Sequence, residues 1–188
     1  MEPILSSFLL VAVSEMGDKT QLLAFSLASR YRRPWMVMAG ILVATVLNHA
    51  LAASVGTWVS EHVPPRIMAS VLAATFIGFG FWTLKPDTLE EAKGPSRLGP
   101  FLTTVVLFFL AEMADKTQLA TVALAARYQS VVLVTVGTTL GMLAADGLAV
   151  FLGEKLAARL PMRWIRAGAA ALFFLFGAAS LWSALRGG

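Results

Sequence analysis

Long apolar runs alternate with short polar breaks along the whole chain. Six of these runs are long enough to cross ~30 Å of hydrocarbon at ~1.5 Å per residue. They predict transmembrane helices at residues 3–29, 35–59, 66–84, 100–126, 130–153 and 163–185. The predicted fold class is therefore all-α, a polytopic membrane protein whose single membrane domain covers residues 1–188.

The two halves of the chain repeat each other at an offset of 97 residues. Between residues 15–31 and 112–128, eleven of seventeen positions are identical. This divides the domain into repeat one (1–84), a polar linker (85–99) and repeat two (100–188). Each repeat holds three predicted helices, and an odd number makes the second repeat enter the membrane from the opposite side. We therefore expect six helices arranged as two inverted-topology three-helix repeats.

The basic residues predict the orientation. One side of the predicted topology collects ten of the fifteen Lys and Arg residues and the other side three, which makes the first side cytoplasmic. The linker is then cytoplasmic, and both termini lie on the non-cytoplasmic side of the cell (inner) membrane. The net charge of +4 does not indicate nucleic-acid binding, because the basic residues lie mainly in short loops between apolar runs.

The amino-acid composition excludes a soluble domain and any chemistry that needs cysteine. The chain is 57% hydrophobic and 14% charged, which a soluble domain of this size could not tolerate. It contains no cysteine, so disulfides, thiolate metal sites and thiol catalysis are excluded.

A charged heptapeptide appears once in each repeat, inside an apolar run. Residues 15–21 read Glu-Met-Gly-Asp-Lys-Thr-Gln and residues 112–118 read Glu-Met-Ala-Asp-Lys-Thr-Gln. An acidic side chain at the centre of a membrane helix costs about 2.5–3.5 kcal/mol, so such residues usually line a functional site. The structural alternative is that these charges form ion pairs that only fix helix packing.

On a continuous helix, Glu15 and Asp18 would share a face, Gln21 would follow one turn later, and Glu15 could pair with Lys19. Inversion would bring the two motifs together at mid-membrane. An oxygen-rich site of this kind suits hard divalent cations such as Mn²⁺, Ca²⁺ or Mg²⁺. The predicted metal ligands are Glu15, Asp18, Glu112, Asp115, Gln21 and Gln118.

Several neighbours carry accessory predictions. Thr20 and Thr117 are neutral oxygens or helix-packing groups, and Lys19 and Lys116 either pair with the acids or snorkel. His49 and Asp146 occupy equivalent mid-span positions in the two repeats. A proton-relay or accessory-ligand role for these two is open beside a structural one.

The charge balance favours transport. Four carboxylates and two lysines leave about −2, which one divalent ion would neutralise. Without the ion, burial favours proton uptake by the carboxylates. We therefore expect no resident cofactor. The expected partners are divalent cations, protons and the bilayer, and homo-oligomerisation is left open.

The motif resembles a known signature. Glu15-Met16-Gly17-Asp18-Lys19-Thr20 matches Glu-x-Gly-Asp-(Lys/Arg)-(Thr/Ser) of the GDT1 family, also called UPF0016 or TMEM165, within the LysE-type superfamily. The resemblance implies a Ca²⁺/Mn²⁺ transporter that exchanges the cation for H⁺, with bacterial members exporting manganese. The family's motif residues correspond here to Glu15, Gly17, Asp18, Lys19 and Thr20, and to Glu112, Asp115, Lys116 and Thr117. Ala114 departs from the glycine of the signature.

Two other functions compete with divalent-cation export. Because an acidic pocket also fits an amine, the chain could export a cationic amino acid or a polyamine. An intramembrane aspartyl hydrolase would use Asp18 and Asp115 as a paired-carboxylate centre. Each Asp travels with a Glu and a Lys, however, so a transporter rather than an enzyme is expected.

Overall fold

The computed structural model describes residues 1–85, 98–113, 115–153 and 161–186, and within these ranges every regular element is a helix. The expectation of an all-helical fold is confirmed for the described residues. Most of the predicted linker, residues 86–97, and Ala114 lie outside the described residues, so the predictions about them are untested. The helices are α1 (Glu2–Glu15), α2 (Lys19–Tyr31), α3 (Pro34–His62), α4 (Pro65–Thr83), α5 (Gly99–Glu112), α6 (Lys116–Tyr128), α7 (Val131–Leu152) and α8 (Met162–Arg186).

Four helices of the described ranges, α3, α4, α7 and α8, are long and apolar enough to cross a membrane. Each corresponds to one predicted segment. The segments predicted at 3–29 and 100–126 are instead each divided into two shorter helices, so the prediction of continuous helices there is wrong. Both divisions fall inside the charged heptapeptides.

The first break has a local cause. Met16 is extended, with ψ 114°, and Gly17 has φ +80°, a left-handed conformation in which glycine carries no Cβ penalty. Asp18 then caps α2 by accepting a hydrogen bond from the Lys19 N–H. The second motif repeats the flanking geometry, since Met113 is also extended, with ψ 125°.

Each broken pair runs along one unbroken helix of the other half. Along α7, Gly137 lies against Ile4 of α1, and further on the Ala145 carbonyl accepts a hydrogen bond from Gln21 of α2. The contacts advance in the same direction on both partners, so α1 and α2 together follow the length of α7. The second half repeats this, because α5 and α6 follow α3 through the contacts Gly40–Phe101, Asn48–Phe109 and Gly56–Val122.

The contacts between α4 and α8 are reciprocal, as in a pair of elements related by two-fold symmetry. Phe76 of α4 stacks with Phe176 of α8 at 5.4 Å between ring centroids, and Phe79 stacks with Phe173 at 5.8 Å. These are equivalent pairs under the 97-residue offset, which is the reciprocal pattern of a two-fold axis. Because the lower number of one helix meets the higher number of the other, α4 and α8 are antiparallel.

Close helix approach at Gly137 generates a test. A Cβ there would lie 2.5 Å from the Ile4 carbonyl oxygen and 2.8 Å from the Ser7 Cβ, so α1 and α7 would have to separate. We expect Gly137→Ala to lower the free energy of unfolding by about 1–3 kcal/mol. Gly78→Ala is the matched control, since a Cβ at Gly78 meets nothing within 4 Å. Denaturant titration in detergent measures both, and equal stabilities would contradict the packing.

Candidate metal centre

The two helix breaks bring the two heptapeptides into contact. Lys19, the first residue of α2, places its Nζ 3.3 Å from the Asp115 Oδ1 of the other half. Lys116, the first residue of α6, places its Nζ 2.7 Å from the Asp18 Oδ2. The lysines therefore pair with acids across the halves. The pairing of Glu15 with Lys19 on one helix is not formed, because α1 ends at Glu15.

Glu15 joins the N-termini of the two half-helices. Its side chain is fully buried. Its Oε2 accepts a hydrogen bond of 2.7 Å from the Thr20 hydroxyl, in the first turn of α2. Its Oε1 accepts a second hydrogen bond from the Thr117 hydroxyl, in the first turn of α6. One carboxylate thus receives a hydroxyl donor from each repeat.

Glu112, the counterpart of Glu15, is equally buried but differently bonded. Among the described residues neither of its carboxylate oxygens has a hydrogen-bond partner. Buried polar groups are nearly always satisfied, so an orphaned carboxylate indicates a missing partner. One oxygen each from Glu15, Glu112 and Asp115 lie within 4.8 Å of one another. Since Ca²⁺ binds oxygens at about 2.3–2.6 Å, ligands of one ion can lie roughly this far apart.

The predicted glutamine ligands have other tasks in this structure. The Gln21 Oε1 accepts a hydrogen bond of 2.8 Å from the Gly17 N–H, which closes the break between α1 and α2. Its Nε2 donates to the Ala145 carbonyl at 2.8 Å and ties α2 to α7. Gln118 is half-buried in the first turn of α6. Ligation by either glutamine stays a prediction.

His49 and Asp146 lie on the unbroken helices that flank the breaks. His49 is on α3 and Asp146 on α7, and both side chains are fully buried. Among the described residues, neither imidazole nitrogen and neither carboxylate oxygen has a hydrogen-bond partner. Asp146 directly follows Ala145, the residue whose carbonyl holds Gln21. This backbone contact could not be predicted from the sequence, because the pattern of side chains carries no information about an alanine carbonyl.

The electrostatic balance singles out the two glutamates. Asp18 and Asp115 each face a lysine ammonium, whereas Glu15 receives hydroxyl donors and Glu112 receives none from the described residues. The cluster of four carboxylates and two ammonium groups, which we call the heptapeptide site, carries a formal charge of −2 when all are ionised. In a low dielectric such an excess needs a bound cation or protons.

The heptapeptide site is unequal in exposure. The Lys19 side chain is 29% exposed beside Asp115, whereas the Lys116 side chain is 4% exposed beside a fully buried Asp18. The cavity next to Asp18 and Lys116 has a volume of about 10 Å³, room for about one water. The heptapeptide site is therefore more accessible beside Lys19 than beside Lys116.

Comparison with known proteins identifies the family of this chain. The family model described as "Divalent cation/proton antiporter GDT1" matches residues 3–91 and again residues 100–188, one match in each half. This chain belongs to the GDT1 family. The family prediction is confirmed, and the chain is a multi-pass membrane transporter rather than an enzyme. The aspartyl-hydrolase alternative is thereby excluded.

Several GDT1 relatives match over nearly the whole chain. A protein of Vibrio cholerae named "Putative manganese exporter" is 44% identical over 96% of this chain and 90% of its own length. A GDT1-like protein of Synechocystis is 31% identical over 95% of this chain and 96% of its own length. GDT1-like protein 3 of rice (Oryza sativa subsp. indica) is 28% identical over 95% of this chain and 73% of its own length. No solved structure matches this chain.

The unequal burial of the two ion pairs generates a test. Lys116→Met leaves the Asp18 carboxylate buried without its ammonium, and we expect the free energy of unfolding to fall by about 3 kcal/mol. Lys19→Met removes a partly exposed pair and should cost less than about 1 kcal/mol.

Denaturant titration in detergent compares the two lysine variants. Adding Asp18→Asn to Lys116→Met removes the buried negative charge that has lost its ammonium, and should restore most of the lost stability. Equal losses for the two single variants, or no recovery in the double variant, would contradict the assignment of Lys116–Asp18 as the buried pair.

Proposed function

We propose that this GDT1 protein exports Mn²⁺ from the cell in exchange for H⁺, with Ca²⁺ as the second candidate cargo. The observation that carries the proposal is the close approach of carboxylate oxygens from Glu15, Glu112 and Asp115, which come from both repeats. Carboxylate oxygens are ligands that Mn²⁺ and Ca²⁺ both accept. The similarity to the Vibrio cholerae protein, whose name states manganese export, favours Mn²⁺.

The charge of the heptapeptide site supports exchange of one divalent ion for two protons. With the two aspartates held by lysines, the excess of −2 resides on Glu15 and Glu112. One divalent ion neutralises both carboxylates, and one proton on each neutralises them equally. The divalent ion and the two protons cannot be bound at the same time, because they use the same carboxylate oxygens. This competition couples the cation to the protons.

The N-termini of the half-helices keep the carboxylates in position when neither the cation nor the protons are bound. Thr20 and Thr117 hold Glu15 from α2 and α6, and the positive ends of both helix dipoles face the centre of the site. Broken helices that present their ends to a central site are a recurrent design of secondary transporters. In this proposal, Gln21 mainly stabilises the break between α1 and α2, and Gln118 provides an amide oxygen at the edge of the site.

Six membrane crossings in two inverted repeats fit the packing. Each broken pair follows a full-length helix and would cross the membrane once, which adds two crossings to those of α3, α4, α7 and α8. The equivalent helices α4 and α8 are antiparallel, as are α3 and α7, where Trp35 stacks on Phe151 and Met38 lies near Gly147. Antiparallel equivalent helices are what inverted topology requires.

The orientation rests on the basic residues. Ten Lys and Arg residues lie on the linker side of the proposed topology and three lie on the other side. This asymmetry favours a cytoplasmic linker and non-cytoplasmic termini. Arg30, Arg32 and Arg33 then mark the cytoplasmic end of α2. Arg127, at the end of α6, lies on the opposite side.

His49 and Asp146 are proposed as the proton path that serves the heptapeptide site. Both are buried, both lack partners among the described residues, and each lies on the unbroken helix beside a break. His49 and Asp146 lie at equivalent positions of the two repeats, so each could accept a proton and pass it to Glu15 or Glu112. A bond of Asp146 to the cargo would make it an accessory ligand instead.

Export of a cationic amino acid or a polyamine is disfavoured by the geometry. Oxygens from three carboxylates lie within 4.8 Å of one another, a separation that suits one small ion bound by all three. An organic ammonium carries a carbon chain, which cannot fit between oxygens at this separation. Transport of labelled putrescine or lysine that is unaffected by Mn²⁺ would favour this alternative.

Glu112→Gln tests the proposed cargo site. The variant keeps the shape of the side chain but removes one carboxylate of the cluster, so we expect Mn²⁺ flux driven by a pH gradient to fall at least tenfold in proteoliposomes. Glu61→Gln, an exposed position near the end of α3, is the control and should transport like the parent chain. Undiminished Mn²⁺ flux in a folded Glu112→Gln protein would refute the site.

The same vesicles separate proton transfer from metal binding. Asp146→Asn should slow Mn²⁺/H⁺ exchange but leave Mn²⁺/Mn²⁺ exchange intact, because the second process needs no proton. Loss of both processes would identify Asp146 as a ligand. Retention of both would remove it from the mechanism.

A further inference from the structure

Away from the heptapeptide site, two cavities meet at one end of the helix bundle. The first, of about 400 Å³, lies where α3 and α8 end, α6 ends and α4 begins. The second, of about 480 Å³, is an apolar groove between α4 and α6. Met68, Leu72 and Ala126 line both cavities, so the two are adjacent. Both volumes fall in the range of ligand sites.

The first cavity has a mixed polar and apolar lining, with one cationic side chain among the described residues. Arg127 donates from its Nη1 to the Ser180 Oγ at 3.0 Å and stacks over the rings of Tyr128 and Phe176. A guanidinium has five N–H donors, and the bond to Ser180 uses one. The remaining polar lining includes Ser60, Gln129 and Ser183.

The second cavity opens sideways, toward the surface that a membrane helix presents to lipid. Val71 of α4 is 52% exposed and Leu119 of α6 is 41% exposed at its edges. Along α4 the groove extends from Met68 to Phe79, eleven residues or about 16 Å. This length is close to one leaflet of a hydrocarbon core about 30 Å thick.

We propose that these two cavities bind one anionic phospholipid, with its phosphate at Arg127 and an acyl chain in the groove between α4 and α6. The guanidinium recognises a phosphate through paired N–H donors. The adjoining groove is apolar and one leaflet deep, as an acyl chain requires. A cationic side chain at the mouth also disfavours this opening as a route for divalent cations.

The other half of the chain offers an internal comparison. The equivalents of Arg127 and Ser180 are Arg30 and Thr83. Arg30 is exposed, and the Thr83 hydroxyl is buried without a hydrogen-bond partner among the described residues. Arg30 therefore does not reproduce the anchored guanidinium. Among the described residues the proposed lipid site has no counterpart in the other half, although the sequence repeats the arginine.

Native mass spectrometry of the purified full chain in detergent tests the proposal. We expect phosphatidylglycerol to be retained in preference to phosphatidylcholine of the same acyl chains. Arg127→Gln should weaken retention of phosphatidylglycerol about five- to tenfold. Arg30→Gln, the equivalent change in the other half, should leave it unchanged.

A second variant tests the acyl groove. Gly78 lines the groove, and a Cβ at this position meets nothing within 4 Å, so Gly78→Leu should fill the groove without disturbing the helices. It should weaken retention of phosphatidylglycerol while thermal stability in lipid-free detergent stays at the parent value. The proposal would be overturned if Arg127→Gln left retention of phosphatidylglycerol unchanged, or if the two lipids were retained equally. It would also be overturned if inorganic phosphate raised the thermal stability of the protein as much as phosphatidylglycerol does.

Discussion

Buried negative charge at the meeting point of four half-helices is the constraint on which this structure depends. Glu15 and Glu112 are both fully buried, and a carboxylate oxygen of each belongs to one group within 4.8 Å. Two carboxylates at this separation repel strongly in a low dielectric. The chain offsets part of the charge with hydroxyl donors and with lysines paired to the neighbouring aspartates. The part left over is what we propose the cargo and the protons neutralise in turn.

The rest of the fold serves to hold these charges together. The breaks at the two heptapeptides let helix N-termini face the centre, and Gly17 adopts the left-handed conformation that the first break needs. Reciprocal bonds then lock the halves, since each lysine pairs with the aspartate of the other repeat. The symmetry is incomplete, because Glu15 takes both threonine hydroxyls and Glu112 takes neither.

Much of this could be predicted from the sequence, because intramembrane charge and a 97-residue repeat are strong signals. They located the heptapeptide site, its Glu and Asp residues and the equivalent pair His49 and Asp146. The helix breaks were missed, since the apolar runs continue through them and hydropathy does not register a change of φ at one glycine. The cross-half lysine pairs were missed for the same reason. They follow only once α1 ends at Glu15, and the unequal exposure of Lys19 and Lys116 depends on tertiary packing alone.

The position of a bound cation decides whether the two heptapeptides form one binding site. Anomalous scattering from crystals soaked in Mn²⁺ locates the ion without assuming any ligand. We expect one peak between the repeats, within coordination distance of Glu15, Glu112 and Asp115. A peak that touches residues of one repeat only, or that lies away from both heptapeptides, would contradict it.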